Sequence, residues 1–381
     1  MTDGPDGSGS AVKSAIIALL FRTDRREPMT SRIYLPEHDR PIALWLIACA
    51  AVIFGMILLG GVTRLTGSGL SMVEWRPLMG IIPPLTEADW QAVFDKYRQF
   101  PEYQQINRGM TLDAFKVIFM YEYLHRVLGR LIGLLFFVPL VFFAIRGMIR
   151  PGMFPRLLLL FVLGGCQGLL GWYMVQSGLV DRPSVSQYRL AAHLGLAVAI
   201  YGFMLWVILD LWRQPEQAAR DNTHRSALGA WALSLVALVY LMILSGALVA
   251  GTHAGFAYST WPKMGPTFIP SGLYATDPAW LAAFEDITTI QFNHRMFAYA
   301  LALLLTVFSV LTLRRESQPR IRWAALAVLA ALLLQLILGI STLLLHVPIP
   351  LAAAHQGGAV LLFSTVIFLA HTLLRRAREH A

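Results

Sequence analysis

Four histidines lie inside long apolar stretches of the chain, where an ionisable side chain is costly. They are His125, His193, His294 and His355. A histidine in a membrane-spanning segment usually has a partner or a task. Two imidazoles at the same height on neighbouring helices hold one iron in the bis-histidine haem sites of helical bundles. We therefore interpret these residues as two pairs of axial ligands to haem iron.

The residues around these histidines occur twice in the chain. Glu122-Tyr-Leu-His125-Arg126 is matched by Gln291-Phe-Asn-His294-Arg295, Gln167-x-x-x-Gly171 by Gln335-x-x-x-Gly339, and Ala191-Ala-His193-Leu-Gly195 by Ala353-Ala-His355-Gln-Gly357. The offsets are 169, 168 and 162 residues, in the same order. Three matched landmarks predict an internal duplication, with one histidine pair in each half.

Two other interpretations of the histidines stay open at this point. Each could simply bond a Ser, Thr or carbonyl of a neighbouring helix. Zinc would need a third and a fourth ligand, and none recurs with the pairs.

Nearby glycines would let a flat macrocycle approach the backbone, or would serve only helix packing; they are Gly129, Gly171, Gly195, Gly339, Gly357 and Gly358. Solvated or interfacial roles are expected for the remaining histidines, His38, His224, His253, His346, His371 and His380.

The two halves differ at Glu122 and Gln291, each three residues before a histidine and on the same helix face. Glu122 either pairs with Arg126 at the i+4 position or exchanges a proton beside the first haem. An acid in one half only predicts one reactive and one auxiliary site. Arg126 and Arg295 would bind haem propionates or extend to lipid headgroups, and the sequence favours neither.

Eight apolar stretches must position these residues, because each is long enough to cross about 30 Å of hydrocarbon. They are 42–63, 115–145, 156–177, 188–212, 227–250, 287–313, 321–345 and 351–374. The composition agrees, since 56% of the residues are hydrophobic and only 14% are charged, against about 25% charged in soluble domains. The sequence predicts an all-α integral membrane protein of two tandem four-helix bundles, related by a pseudo-two-fold axis along the membrane normal.

The basic residues predict the orientation of the chain. Nineteen Lys and Arg flank one side of the spans and eight the other, so both termini are expected in the cytoplasm. The loops 64–114 and 251–286 then face outward, with short amphipathic caps, and the four histidines lie in the outer half of the bilayer. The predicted parts are a cytoplasmic arm (1–41), an N-terminal bundle (42–212), a cytoplasmic linker (213–226), a C-terminal bundle (227–374) and a cytoplasmic tail (375–381).

Charge, cysteine content and the N-terminal segment exclude nucleic-acid binding, a disulfide framework and a span before residue 42. The net charge of +9 comes from short clusters between apolar runs, which is typical of membrane topology and not of nucleic-acid binding. The two cysteines, Cys49 and Cys166, lie within apolar runs and form no disulfide framework. The apolar stretch Ala15–Phe21 is too short to span a bilayer and lacks a cleavage signal, so an interfacial turn or disorder is expected there.

The run Glu122-x-x-His-Arg-x-x-Gly-Arg130, the four histidines on even-numbered spans and the 4+4 repeat resemble the haem A synthase family over residues 42–374. The resemblance implies oxidation of the C8 methyl of haem O, by successive hydroxylations, to the formyl group of haem A for cytochrome c oxidase. It also implies that Glu122 is essential for catalysis. His125, His193 and Arg126 would bind the substrate haem, and His294, His355 and Arg295 a permanent haem b. The first outer loop holds no cysteine, as in the mitochondrial and proteobacterial branch.

The same resemblance implies a bacterial inner-membrane location, with haem O synthase and cytochrome oxidase assembly factors as partners. A homo-oligomer is compatible with the sequence, and no nucleic-acid partner is expected. Two other functions remain as alternatives. A di-haem b-type cytochrome for quinol-linked electron transfer would usually stack its haems at two depths, whereas these histidines share one. A repeat-built transporter would need helices broken near mid-membrane, which the spans lack.

Overall fold

The structure, a computed structural model, describes residues 36–74, 82–179, 183–212 and 227–375. The expected interfacial turn at Ala15–Phe21, most of the cytoplasmic arm, the linker 213–226 and nearly all of the tail lie outside the described residues.

Eight long helices dominate the fold, and each is long and apolar enough to cross a membrane. In chain order, span 1 to span 8 are Asp39–Leu65, Leu112–Ile145, Phe154–Leu179, Gln187–Leu211, Ala227–Gly251, Ile287–Arg315, Pro319–Leu344 and Ile349–Leu374. The eight predicted spans are confirmed, and their ends differ from the prediction by three residues or fewer. Every regular element in the described ranges is a helix.

The sequence also explains where some of these helices begin. Span 2 starts after Thr111, whose hydroxyl accepts a hydrogen bond from the Ala114 amide, and span 6 starts after Asp286, whose carboxylate accepts one from the Thr289 amide. Such caps satisfy amides that the first turn leaves unpaired. Span 2 continues through Pro139 without a break. The described spans are therefore continuous helices, as expected of a haem-binding bundle and not of a transporter.

The spans pack as two rings of four helices. Span 1 contacts spans 2 and 4, and span 3 contacts spans 2 and 4; spans 5 to 8 repeat this arrangement. The rings meet where span 4 packs against spans 5 and 8 and where span 8 packs against span 1. The predicted pair of four-helix bundles is thereby confirmed, while the pseudo-two-fold axis and the exact domain boundaries stay predictions.

Spans 4 and 8 form the centre of the molecule. In their most apolar windows 56% and 67% of the residues are buried, against 6% in span 3. Spans 2 and 3 present large apolar side chains on the outside of the bundle, among them Leu131, Leu134, Val162 and Leu169. Such a surface suits a hydrocarbon solvent, because lipid does not penalise exposed apolar groups.

Short helices cover the first bundle in the loop between spans 1 and 2. Glu87–Tyr97 begins with a capping box, in which Thr86 and Asp89 exchange backbone-to-side-chain hydrogen bonds. The hydroxyl of Thr86 and then its backbone amide, which both donate to the Asp89 carboxylate, lower the pKa of Asp89. Pro101–Gln105 follows it and packs against span 3. An aromatic cluster joins the loop to span 2, made of Phe94, Tyr97, Phe115 and Phe119. The predicted cap is present in this loop.

Candidate functional site

The four intramembrane histidines form two pairs, one in each ring of helices. His125 on span 2 and His193 on span 4 stand on opposite helices of the first ring, and His294 on span 6 and His355 on span 8 on opposite helices of the second. The members of each pair lie within electrostatic range of one another. All four are only partly covered by protein, so space remains beside each imidazole.

Each histidine ring packs against a glycine of an adjacent helix. A β-carbon added to the glycine would lie 3.1 Å from His125 (at Gly60), 2.9 Å from His193 (at Gly171), 3.4 Å from His294 (at Gly246) and 2.7 Å from His355 (at Gly339). These glycines lie on the first and third spans of each ring. Equivalent spans therefore contribute the glycine that contacts the equivalent histidine in each half.

Polar neighbours orient two of the rings. The side-chain amide of Gln167 lies 3.1 Å from His193 Nδ1 and donates to the His193 carbonyl over 3.0 Å. Ser245 Oγ lies 3.1 Å from His294 Nδ1, so the simple hydrogen bond considered from the sequence is observed at this histidine. A partner on one ring nitrogen fixes the tautomer and leaves the other nitrogen to bind metal.

The residues around each pair fit a haem held between two imidazoles. His355 Nδ1 is buried and has no hydrogen-bond partner, which is a costly state unless a ligand uses the ring. The glycines provide room for a flat group where a side chain would intrude. Among the described residues, no three His, Cys, Asp or Glu side chains are grouped so as to hold a metal ion. The available donor set is therefore a pair of imidazoles, which suits haem iron.

Glu122 is buried beside the first pair, with 3% of its surface exposed. One carboxylate oxygen accepts hydrogen bonds from Ser71 Oγ (2.8 Å) and from the Met72 amide (2.7 Å), and the other accepts one from Arg126 (2.5 Å). The predicted i+4 pair with Arg126 is therefore present. Because donors hold both oxygens, the carboxylate is fixed in position.

Arg126 and Arg295 hold the outer loops by equivalent contacts with two backbone carbonyls each. Arg126 donates to the carbonyls of Met72 (2.8 Å) and Glu74 (3.1 Å). Arg295 donates to the carbonyls of Tyr258 (2.8 Å) and Thr260 (2.8 Å), which lie 186 residues after Met72 and Glu74. Both guanidinium groups thus anchor loop backbone, a role that the sequence did not suggest, and their contact with haem propionates stays a prediction.

Gln291 occupies the position of Glu122 in the second half, with the opposite hydrogen-bond polarity. Its amide group donates to the Tyr258 carbonyl over 3.1 Å, whereas Glu122 accepts from the amide of the equivalent Met72. A carboxylate at Gln291 would face that carbonyl and be repelled. The second half therefore keeps the histidines and the loop anchor but has no acid at this position.

Only some of the glycines singled out from the sequence contact a histidine. Gly171 and Gly339 do, and the repeated Gln-x-x-x-Gly motif indicated them. Gly60 and Gly246 were missed because they lie on spans 1 and 5, outside the repeated motifs. The others face helix-packing partners: Met56 at Gly129, Leu244 at Gly195, Leu58 at Gly357 and Gln335 at Gly358. Packing through small residues explains these four.

The prediction of a solvated or interfacial role is wrong for His371. It is 1% exposed, and its Nε2 lies 3.0 Å from Asp210 Oδ1 on span 4. Asp210 also pairs with Arg156 (3.0 Å) and Arg375 (3.4 Å). A buried acid on span 4 thus pairs with basic residues of span 3 and of the C-terminal end of span 8. This cluster lies at the end of the bundle opposite to the paired histidines. Sequence reasoning missed this cluster, since its members are far apart in the chain.

Comparison with known proteins gives one family. Residues 43–367 match the model of the COX15-CtaA family, described as cytochrome oxidase assembly protein. The chain is 49% identical over 338 residues to "Heme A synthase" of Nitrosospira multiformis, which covers 89% of this chain and 95% of that protein. It is 49% identical to "Heme A synthase" of Parvibaculum lavamentivorans, with 89% of this chain and 96% of that protein covered. It is 46% identical to "Heme A synthase" of Paracoccus denitrificans, with 89% of this chain and 87% of that protein covered.

Proposed function

Because the chain belongs to the COX15-CtaA family of cytochrome oxidase assembly proteins, we propose that it is a haem A synthase whose reaction takes place beside Glu122. It is an integral protein of the bacterial inner membrane that oxidises the C8 methyl of haem O to a formyl group, which gives haem A for cytochrome c oxidase. The observation that carries this assignment is the pair of matched histidine sites, of which only one has a buried acid.

The N-terminal site is proposed to bind the substrate. His125 and His193 hold haem O between spans 2 and 4, with Gly60 and Gly171 leaving room beside the rings. Oxidation of a methyl to a formyl group removes hydrogen from carbon, so the site needs a group that exchanges protons. Glu122 is the buried acid at this site. Arg126 balances its charge, and Ser71 and the Met72 amide donate hydrogen bonds to it.

The C-terminal site is proposed to bind a resident haem b through His294 and His355. When bound, that haem supplies one-electron transfer. The protein's own part is to fix the rings against Gly246 and Gly339 and to anchor the outer loop through Arg295. Gln291 suits an auxiliary site, since it orients loop backbone and carries no exchangeable charge.

The orientation and the partners are part of the proposal. The distribution of basic residues supports cytoplasmic termini and haem sites toward the outer leaflet. Haem O synthase and cytochrome oxidase assembly factors are the expected neighbours, because haem O is apolar and is best passed on within the membrane.

The test is haem extraction with mass identification from purified protein, with and without a co-expressed enzyme that makes haem O. Haem A in the presence of that enzyme supports the proposal. Protohaem alone under every condition would favour the di-haem cytochrome, and protein without haem would revive the transporter.

Two variants test which bundle binds the substrate haem and which binds the resident haem b. His355→Ala is expected to lose protohaem, whereas His193→Ala is expected to keep protohaem and lose the substrate haem. The reverse pattern would exchange the roles of the two bundles.

A further inference from the structure

A second buried carboxyl, Glu102, lies above the N-terminal bundle. It belongs to the short helix Pro101–Gln105 of the first outer loop, which packs against span 3. Only 6% of its surface is exposed. A carboxyl is almost never buried to this extent without a partner or a task.

Hydrogen bonds from the same loop hold this carboxyl in place. Tyr97 Oη donates to Glu102 Oε2 over 3.0 Å, and Asn107 Nδ2 donates to Tyr97 Oη over 2.7 Å. Tyr97 is completely buried. This chain of donors fixes Glu102 within the outer loop and gives its ionised form one hydrogen bond.

The described groups that act on the charge of Glu102 come from three elements. The pKa of Glu102 is raised to about 7, and burial is the largest cause. The Tyr97 hydrogen bond lowers this pKa, the charge of Glu122 on span 2 raises it, and Arg64 on span 1 lowers it. Neutral and ionised forms therefore coexist near neutral pH. The negative charge of Glu122 therefore favours the protonated form of Glu102.

We propose that Glu102 is a second proton-exchanging carboxyl of the N-terminal site, which takes up a proton when Glu122 ionises and releases it when Glu122 becomes neutral. One proton moves onto or off each carboxyl in this exchange and no electron is transferred. Glu102 acts through Glu122, so it is a positioning residue and not a catalytic one. The inference rests on the proposed function in one respect, namely that Glu122 exchanges protons during haem O oxidation.

Infrared titration of the purified protein in lipid tests the coupling without any need for turnover. The wild type is expected to show a protonated buried carboxyl that ionises with a midpoint near pH 7, and Glu102→Gln is expected to lack it. Glu122→Gln removes a negative charge and shifts the midpoint to lower pH. Tyr97→Phe removes a hydrogen bond to the ionised form and shifts it to higher pH. Glu87→Gln is the control, because this carboxylate of the same loop has 75% of its side chain exposed. An unchanged midpoint in Glu122→Gln overturns the coupling.

The rate of haem A formation as a function of pH tests the functional part. Glu102→Gln is expected to lose the inflection near neutral pH, Glu102→Asp to retain an inflection, and Glu87→Gln to match the wild type. An equal loss of rate at every pH in Glu102→Gln would indicate a purely structural carboxyl and overturn the proposal. If the wild type makes no haem A at any pH, the proposed function fails, while the infrared midpoints still decide whether the two carboxyls are coupled.

Discussion

The imidazole of His193 lies directly against the backbone of Gly171, so that a β-carbon added there would come within 2.9 Å of His193 Cε1. The equivalent distance in the second half is 2.7 Å, between Gly339 and His355. A β-carbon this close would overlap the imidazole, so the histidine ring or the helix backbone would have to move. The backbone of the third span in each bundle thus limits the position of the histidine ring on the fourth span.

Alanine at these two glycines is expected to reduce haem binding without unfolding the protein. Alanine is favoured over glycine in a helix interior by about 1 kcal/mol, so any loss of haem reports the displaced ring. Gly339→Ala should lower the protohaem content, and Gly171→Ala should lower the content of haem O or haem A. Extracted haem per mole of protein measures both effects.

Gly164→Ala is the matched control on span 3, because nothing lies within 4 Å of a β-carbon added there. It is expected to bind haem as the wild type does. If Gly171→Ala also bound haem normally, the close contact with His193 would not control the site.

Asp210→Asn is expected to destabilise the protein while leaving both haem sites intact. Asp210 is buried and binds His371, Arg156 and Arg375 at the end opposite to the haem sites. Removing one partner of a fully buried ion pair costs about 3–5 kcal/mol. The loss here is expected to be smaller, because the side chains of Arg156 and Arg375 are 45% and 37% exposed. Thermal unfolding in detergent, followed by tryptophan fluorescence, measures the change.

Asp113→Asn provides the comparison for that experiment. Asp113 pairs with Lys116 but has 92% of its side chain exposed, and exposed pairs contribute about 0–1 kcal/mol. Equal unfolding temperatures for the two variants would mean that the Asp210 cluster adds nothing to stability.

The stability of the wild type relative to Glu102→Gln is expected to fall as the pH rises from about 4.5 to about 7. The pKa of Glu102 is raised from 4.5 to about 7 in the folded protein, so the folded state holds this proton more tightly than the unfolded state. Its stabilising contribution is complete below pH 4.5 and is lost as the pH rises through 7. The difference in unfolding temperature between the two proteins, measured at several pH values, tests this. A difference that does not change with pH would contradict it.

The sequence predicted the elements better than their contacts. The eight spans follow from the length and composition of apolar runs, and the histidine pairs follow from the duplication around His125 and His294. The buried position of Glu102 could not be predicted, because it depends on how a polar loop folds over the bundle. The pair Asp210–His371 joins residues of two different halves, and no local periodicity indicates such a contact. Gly60 was missed for the same reason, since its partner His125 lies on another helix.

The most direct test of the account is the product made by Glu122→Gln, expressed together with an enzyme that makes haem O. The substitution keeps the size of the side chain and removes its exchangeable proton. Glu87→Gln, on the first outer loop, is the control for loss of a carboxyl. The account predicts that the Glu122→Gln protein contains normal amounts of haem but that mass identification finds haem O and protohaem without haem A. A yield of haem A equal to that of the wild type would contradict the central role of Glu122.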